Sequence, residues 1–185
     1  VALAGIFESL ASDFRPLAEK SDVALRIRKT DAVVYSDRMM LRRILQNILS
    51  NALRYTRDGG VLIGTRKRGK EIWIDISDTG IGIEPDQVET VFEEFHRGSE
   101  AASHHSGGLG LGLSIVKRMT TSLGHDIVLR SRPDKGTLFR IKVKRAETEA
   151  VALTPDRSGI EQPVYGLFNA KVLLVENDLT VQEAT

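Results

Sequence analysis

The pattern between Asp37 and Thr56 constrains this chain more than any other. Leu41, Ile44, Leu45, Ile48, Leu49 and Ala52 recur at i, i+3, i+4, i+7, i+8 and i+11, a spacing that only an α-helix gathers into one stripe. Ser36 and Asp37 are suited to cap its start, and Asp58-Gly59-Gly60 follows its expected end near Thr56. A helix with one apolar stripe must bury it against another layer. At about 100° per residue, Asn47, Asn51 and Arg54 fall together on a flank roughly 90–150° from the stripe, and Tyr55 stands at the border.

The candidate second layer alternates with period two. Val61 to Lys67 and Glu71 to Ser77 read as a hairpin around Arg68-Gly69-Lys70, with Ile72, Ile74 and Ile76 on one face and Trp73, Asp75 and Ser77 on the other. Ile127 to Arg132 and Thr137 to Lys144 read as a second hairpin across Pro133-Asp134-Lys135-Gly136. Val23 to Lys29 and Ala32 to Tyr35 are shorter strand candidates. Leu3, Ile6, Phe7, Leu10, Phe14 and Leu17 predict a first helix, which Pro16 is expected to kink or to end near Arg15. Pro85 suits the first turn of a short helix with the stripe Val88, Val91, Phe92 and Phe95. Leu113 to Leu123 predicts a helix closed by Gly124. Arg97 to Gly112 is small, polar and glycine-rich, and reads as a mobile loop.

Composition excludes several classes. With 41% apolar and 28% charged residues the chain has the balance of a globular domain, not of a disordered or fibrous one. Cysteine is absent, which removes disulfides, thiolate metal sites and cysteine nucleophiles, and fits a reducing, cytoplasmic setting. No run reaches the ~18 apolar residues of a membrane helix. The beginning, Val1 to Phe7, has no basic flank and reads as the edge of a piece cut from a longer protein, not as a signal peptide. A net charge of +1 gives no chain-wide field for nucleic acid, and Arg66-Lys67-Arg68 and Lys142 to Arg145 read as solvated strand faces.

Three constellations carry chemistry. The first is the flank of Asn47, Asn51 and Arg54: an amide oxygen is a hard neutral ligand suited to magnesium beside phosphates, and a guanidinium one turn on can hold a phosphate. The second is Asp78-Thr79-Gly80-Ile81-Gly82-Ile83, a carboxylate at a strand end followed by glycines that allow backbone to approach a flat ring. The third is Gly107-Gly108-Leu109-Gly110-Leu111-Gly112 opening the helix at Leu113, a run of unhindered N–H groups suited to phosphate. No Gly-Lys-Ser/Thr follows it and no strand directly precedes it, so neither a P-loop nor a dinucleotide-binding turn is read here. Alone, each also fits an ordinary solvated flank, a tight connection or a glycine repeat.

Taken together and in this order, they resemble the ATP-binding catalytic domain of sensor histidine kinases. Asn47 to Thr56 resembles that family's N box, Asp78 to Ile83 its G1 box, Val91 to Arg97 its F box, Gly108 to Lys117 its G2 box and Gly136-Thr137-Leu138-Phe139 its closing strand. The resemblance covers about residues 1–145 and implies an α/β fold, a two-layer sandwich with a mixed sheet and helices on one face. It implies that Asn51 ligates the magnesium on ATP with Asn47 alongside, that Arg54 contacts phosphate and that Tyr55 packs by the nucleotide. Asp78 would bind the adenine amino group in a pocket shaped by Gly80, Gly82 and Ile83, joined by Thr137. Gly108, Gly110 and Gly112 would supply the phosphate-side backbone of a lid running from Arg97 to Leu111 and leading into Leu113; Leu109 stands where the family often has Thr.

Asn47 also bears on the reaction. ATPases that share this fold, such as gyrase and the mismatch-repair proteins, carry a Glu there as general base, and an amide cannot take that proton. The expectation is therefore phosphoryl transfer to a histidine on a separate helical dimerisation domain. An ATPase of the same fold and a regulatory nucleotide-binding module remain the alternatives. None of His96, His104, His105 and His125 lies in the helical context of a phosphoacceptor. Residues 146–169 read as a linker. Residues 170–185, with Lys171 to Val175 and then Glu176-Asn177-Asp178, resemble the start of a receiver domain and so imply a hybrid kinase. A receiver domain of a response regulator is the implied partner, nucleic acid is not, and the fragment is expected to be monomeric within a dimeric parent, which the sequence leaves free to be membrane-anchored or not.

Overall fold

The computed structural model describes residues 1–93 and 111–146. Expectations for 94–110 (Phe95, His96, Arg97, His104, His105, Gly108, Leu109 and Gly110 among them) and for the linker and receiver-like segment lie outside the described residues.

Three helices pack on one face of a five-stranded sheet. The helices are α1 (Leu3–Lys20), α2 (Arg38–Tyr55) and α3 (Gly112–Ser122); the strands are β1 (Ala24–Ile27), β2 (Gly60–Arg68), β3 (Glu71–Asp78), β4 (Asp126–Arg132) and β5 (Gly136–Lys144). The sheet order is β1-β2-β3-β5-β4. Only the β1–β2 pair is parallel; the other neighbours are antiparallel, so the sheet is mixed as expected.

The register explains which face is covered. Ile63 pairs with Ile76, and Ile76 with Phe139, so successive apolar positions line up across three strands. Ile72, Ile74 and Ile76 meet the α2 stripe in one core, where Leu41, Ile44, Leu45, Ile48 and Leu49 are fully buried. Asp37 caps α2 by accepting a 2.7 Å hydrogen bond from the Met40 N–H. Gly124, at φ 65°, ends α3.

Three local expectations are corrected. The first helix does not end near Arg15 but runs through Pro16 to Lys20. Pro16 and Ser12 both stand on the exposed side, where water can serve the carbonyl that proline leaves without a donor, while Phe14 and Ala18 bury the opposite side. Ala18 thus takes the core position expected of Leu17, which is 44% exposed. Ala32 to Tyr35 forms no strand: Val33 bridges to Ala2 and Val34 to Arg145, two different neighbours, so no ladder builds. The segment after Pro85 is two single 3₁₀ turns, Pro85–Gln87 and Thr90–Phe92. Neither has a side-chain cap, and Val88, Val91 and Phe92 are only partly buried, too little to nucleate a longer helix.

This orientation of α1 and α2 is testable by urea unfolding. Ile48→Ala, at a site with 0% exposure, is expected to cost about 2–5 kcal/mol. Leu17→Ala should cost less than about 0.5 kcal/mol.

Candidate functional site

Asp78 ends β3, and the chain turns sharply after it. Its Oδ1 accepts hydrogen bonds from the backbone N–H of Gly80 at 2.9 Å and of Thr137 at 3.1 Å. The carboxylate therefore ties its own loop to the start of β5. Oδ2 has no partner among the described residues and is not sealed from solvent, which leaves a carboxylate oxygen available as an acceptor. Burial pushes the Asp78 pKa above its ordinary 3.8, against the opposing pull of the two backbone N–H groups.

The loop behind Asp78 is built by close backbone approach. A Cβ on Gly80 would run into the Tyr55 carbonyl at the end of α2, and Ile81 N–H donates to that same oxygen at 3.2 Å. Gly82, at φ 74°, packs on the Arg132 carbonyl, and Asp134 N–H reaches back to Ile81 O at 2.7 Å. Gly136, at φ 91°, abuts the Asp78 carbonyl. Three elements distant in sequence thus converge on one carboxylate.

One participant escaped the sequence reading. Ser131 Oγ accepts from the Ile83 N–H at 2.8 Å and lies 3.0 Å from Gly136 O and 2.9 Å from Thr137 Oγ1. The available signal was a serine among the apolar positions of the core-facing row of β4, between Leu129 and the turn. Thr137 is buried and joins this cluster, next to Asp78 as expected.

The other end of the site lies where α2 meets α3. A Cβ on Gly112 would sit 3.5 Å from Asn47 Oδ1 and 3.9 Å from Asn51 Nδ2, so both amides border the N-terminus of α3. Asn47 donates its own amide to Arg43 O at 2.9 Å. Asn51 makes no side-chain hydrogen bond among the described residues. No side chain caps α3; the Leu111 carbonyl accepts from the Ile115 N–H, and the first N–H groups of the helix have no partner among the described residues. Leu113 packs against the core instead. Arg54 is exposed at the end of α2, its guanidinium 5.8 Å from the Tyr55 ring centre. Phe92 meets Phe139 edge-on at 6.5 Å, which anchors the segment after the Asp78 loop. His125, the one expected bystander histidine that the structure describes, lies 2.8 Å from Ser36 Oγ, and burial lowers its pKa.

Two glycines separate backbone strain from collision. Gly124→Ala meets nothing within 4 Å and should cost only the left-handed penalty, about 1–2 kcal/mol. Gly82→Ala carries that same penalty plus a clash with fixed backbone, and its loss in thermal unfolding should be distinctly larger.

Known proteins share this fold. Residues 36–147 match the family described as histidine kinase-, DNA gyrase B-, and HSP90-like ATPase. The autoinducer 2 sensor kinase/phosphatase LuxQ of Vibrio parahaemolyticus is 33% identical across 97% of this chain, which spans 22% of that protein. The sensor-like histidine kinase SenX3 of Mycobacterium tuberculosis is 38% identical across 74% of the chain, which spans 34% of it. The chain thus covers about a fifth to a third of the length of these relatives. Among solved structures, the mycobacterial sensor histidine kinase MprB superposes with a TM-score of 0.69 at 26% identity, over 78% of this chain and 97% of that one. Full-length ShkA in complex with AMPPNP gives 0.68 at 26% identity, over 79% of this chain and 30% of that one. The chain belongs to the histidine kinase-, DNA gyrase B-, and HSP90-like ATPase family, as an ATP-binding catalytic domain of the sensor histidine kinase type.

Proposed function

We propose that this domain binds magnesium-ATP across α2, the Asp78–Ile83 loop and the start of α3, and presents its γ-phosphate to a histidine on a separate dimerisation domain. The observation that carries the reading is Asp78. One carboxylate oxygen is held by two backbone donors and the other is left to accept from the adenine amino group. Gly80, Gly82 and Ile83 shape the base pocket, and Thr137 and Ser131 hold its far wall. Tyr55 lies beside the nucleotide. Arg54 and the N–H groups from Gly112 onward receive phosphate charge, with Gly108, Gly110 and the lid from Arg97 to Leu111 completing that side.

Magnesium fits the donors present. Among the described residues no cluster of three acidic or histidine side chains could hold a metal by itself. Asn51 offers one neutral oxygen, the complement of a cation carried in largely by ATP phosphates and water. When bound, the ion offsets charge that develops on the β- and γ-phosphates.

The chain's own contribution is positioning. In the transfer, the bond from the γ-phosphorus to the bridging oxygen breaks and a bond to an imidazole nitrogen forms; ADP leaves, and the imidazole proton passes to a base outside this chain. Asn47 has no basic lone pair and spends its amide on Arg43 O, so it does not activate water. Phosphate release without an acceptor would instead mark the chain as an ATPase. The partners proposed are the histidine-bearing domain of the same protein, in a dimeric parent, and the receiver domain of a response regulator. No helix among the described residues is long and apolar enough to cross a membrane.

Calorimetry tests the site. Asp78→Asn should weaken ATP binding by about 10–100-fold, because an amide N–H would then face the adenine donor. The same variant should be no less stable than the parent. With its pKa raised in the fold, Asp78 favours folding most below 3.8, and that contribution is lost as pH rises through the raised value. For the same reason, ATP affinity of the parent should fall on acidification at a pH above 3.8. Asn51→Ala should abolish the magnesium dependence of binding while leaving metal-free nucleotide binding nearly unchanged.

A further inference from the structure

The sheet face opposite the three helices gathers cations that the sequence scatters. Arg66 and Lys142 both pair in register with Trp73, one from each side. Arg140 and Arg68 lie over the Trp73 ring at 4.4 and 5.5 Å. At the Asp78 end, Ser77 and Arg130 both pair with Leu138. There Arg130, Arg132 and Lys135 border a hollow of about 300 Å³ that Asp78 and Thr137 of the candidate site also line.

Three acids along these strands are already paired. Asp75 holds Arg140 through two hydrogen bonds of 2.7 and 2.8 Å and pairs with Arg66 at 3.2 Å. Asp126 lies 3.5 Å from Lys142, and Glu71 accepts from Trp73 Nε1. Arg130, Arg132 and Lys135 have no carboxylate partner among the described residues, and all three are exposed. All three helices pack on the other face. Among the described residues, this face therefore carries more cations than carboxylates.

We infer that this face docks a partner protein that presents a run of carboxylates. Charge complementarity argues for an acidic partner, and the detail of the face argues for a protein. Nucleic acid would need an open aromatic ring for stacking, and two guanidinia already cover Trp73. Asp75, Glu71 and Asp126 would meet phosphates at intervals along the face. A membrane would need protruding apolar side chains, and the exposed large ones, Leu17, Tyr35 and Met39, belong to no strand.

Fluorescence anisotropy on the full chain tests this with a labelled 20-residue poly-glutamate peptide as probe. Binding should weaken as salt rises. Arg68→Glu/Lys142→Glu, beside Trp73 and away from Asp78, should lower affinity at least ~10-fold, whereas Arg15→Glu/Lys20→Glu on α1, with the same change in charge, should lower it far less. Both variants should melt as the parent does. ATP binding should be unchanged in both, so failure here is separable from failure of the nucleotide site. No binding at low salt, or equal losses in the two double variants, would overturn the inference. Tighter binding of a 20-nucleotide oligothymidylate or of phosphatidylserine vesicles, lost in Arg68→Glu/Lys142→Glu, would also overturn it.

Discussion

Burial of the α2 stripe against the isoleucine rows of the sheet is the constraint on which the rest depends. Leu41, Ile44, Leu45, Ile48 and Leu49 are fully buried, so rotation of this helix about its axis would expose several of them at once. With that rotation forbidden, the flank carrying Asn47 and Asn51 has one direction to face. It faces the first turn of α3. The polar end of the site is thus aimed by an apolar interaction that touches no ligand.

The base end is organised differently, around one charge. Asp78 is held by backbone from its own loop and from β5, and burial works against its ionisation. In the role proposed for Asp78, the partial desolvation that raises its pKa would also strengthen a hydrogen bond to a base. Ser131 completes the arrangement by linking Ile83, Gly136 and Thr137 through one hydroxyl. The two sheet faces then divide the work. One supports the helices; on the other, Asp75 and Asp126 are paired with Arg66, Arg140 and Lys142, while Arg130, Arg132 and Lys135 have no carboxylate partner among the described residues.

Much of the fold was legible because its signals are local. The α2 stripe, the Asp37 cap, the two hairpins and the Gly124 stop each follow from spacing or from one residue's backbone preference. The misreadings share a cause as well. Pro16 failed to end α1 because the side of the helix it disrupts faces water, and the 3₁₀ turns after Pro85 replaced a helix because little burial supports them. Ala32 to Tyr35 had the composition of a strand but found two different neighbours instead of one. Each outcome turned on surroundings that no short window contains.

The sequence by itself determined the elements, the boxes of the family in their order, and the candidate residues Asn47, Asn51, Asp78 and Thr137, since each rests on residue type and short-range spacing. Only the tertiary structure decided that the Thr137 and Gly80 N–H groups share one Asp78 oxygen, that Ser131 links Ile83 to Thr137, and that Arg66, Arg140 and Trp73 meet on one face of the sheet. These are relations between strands brought together by register, and register is set by the whole buried face at once.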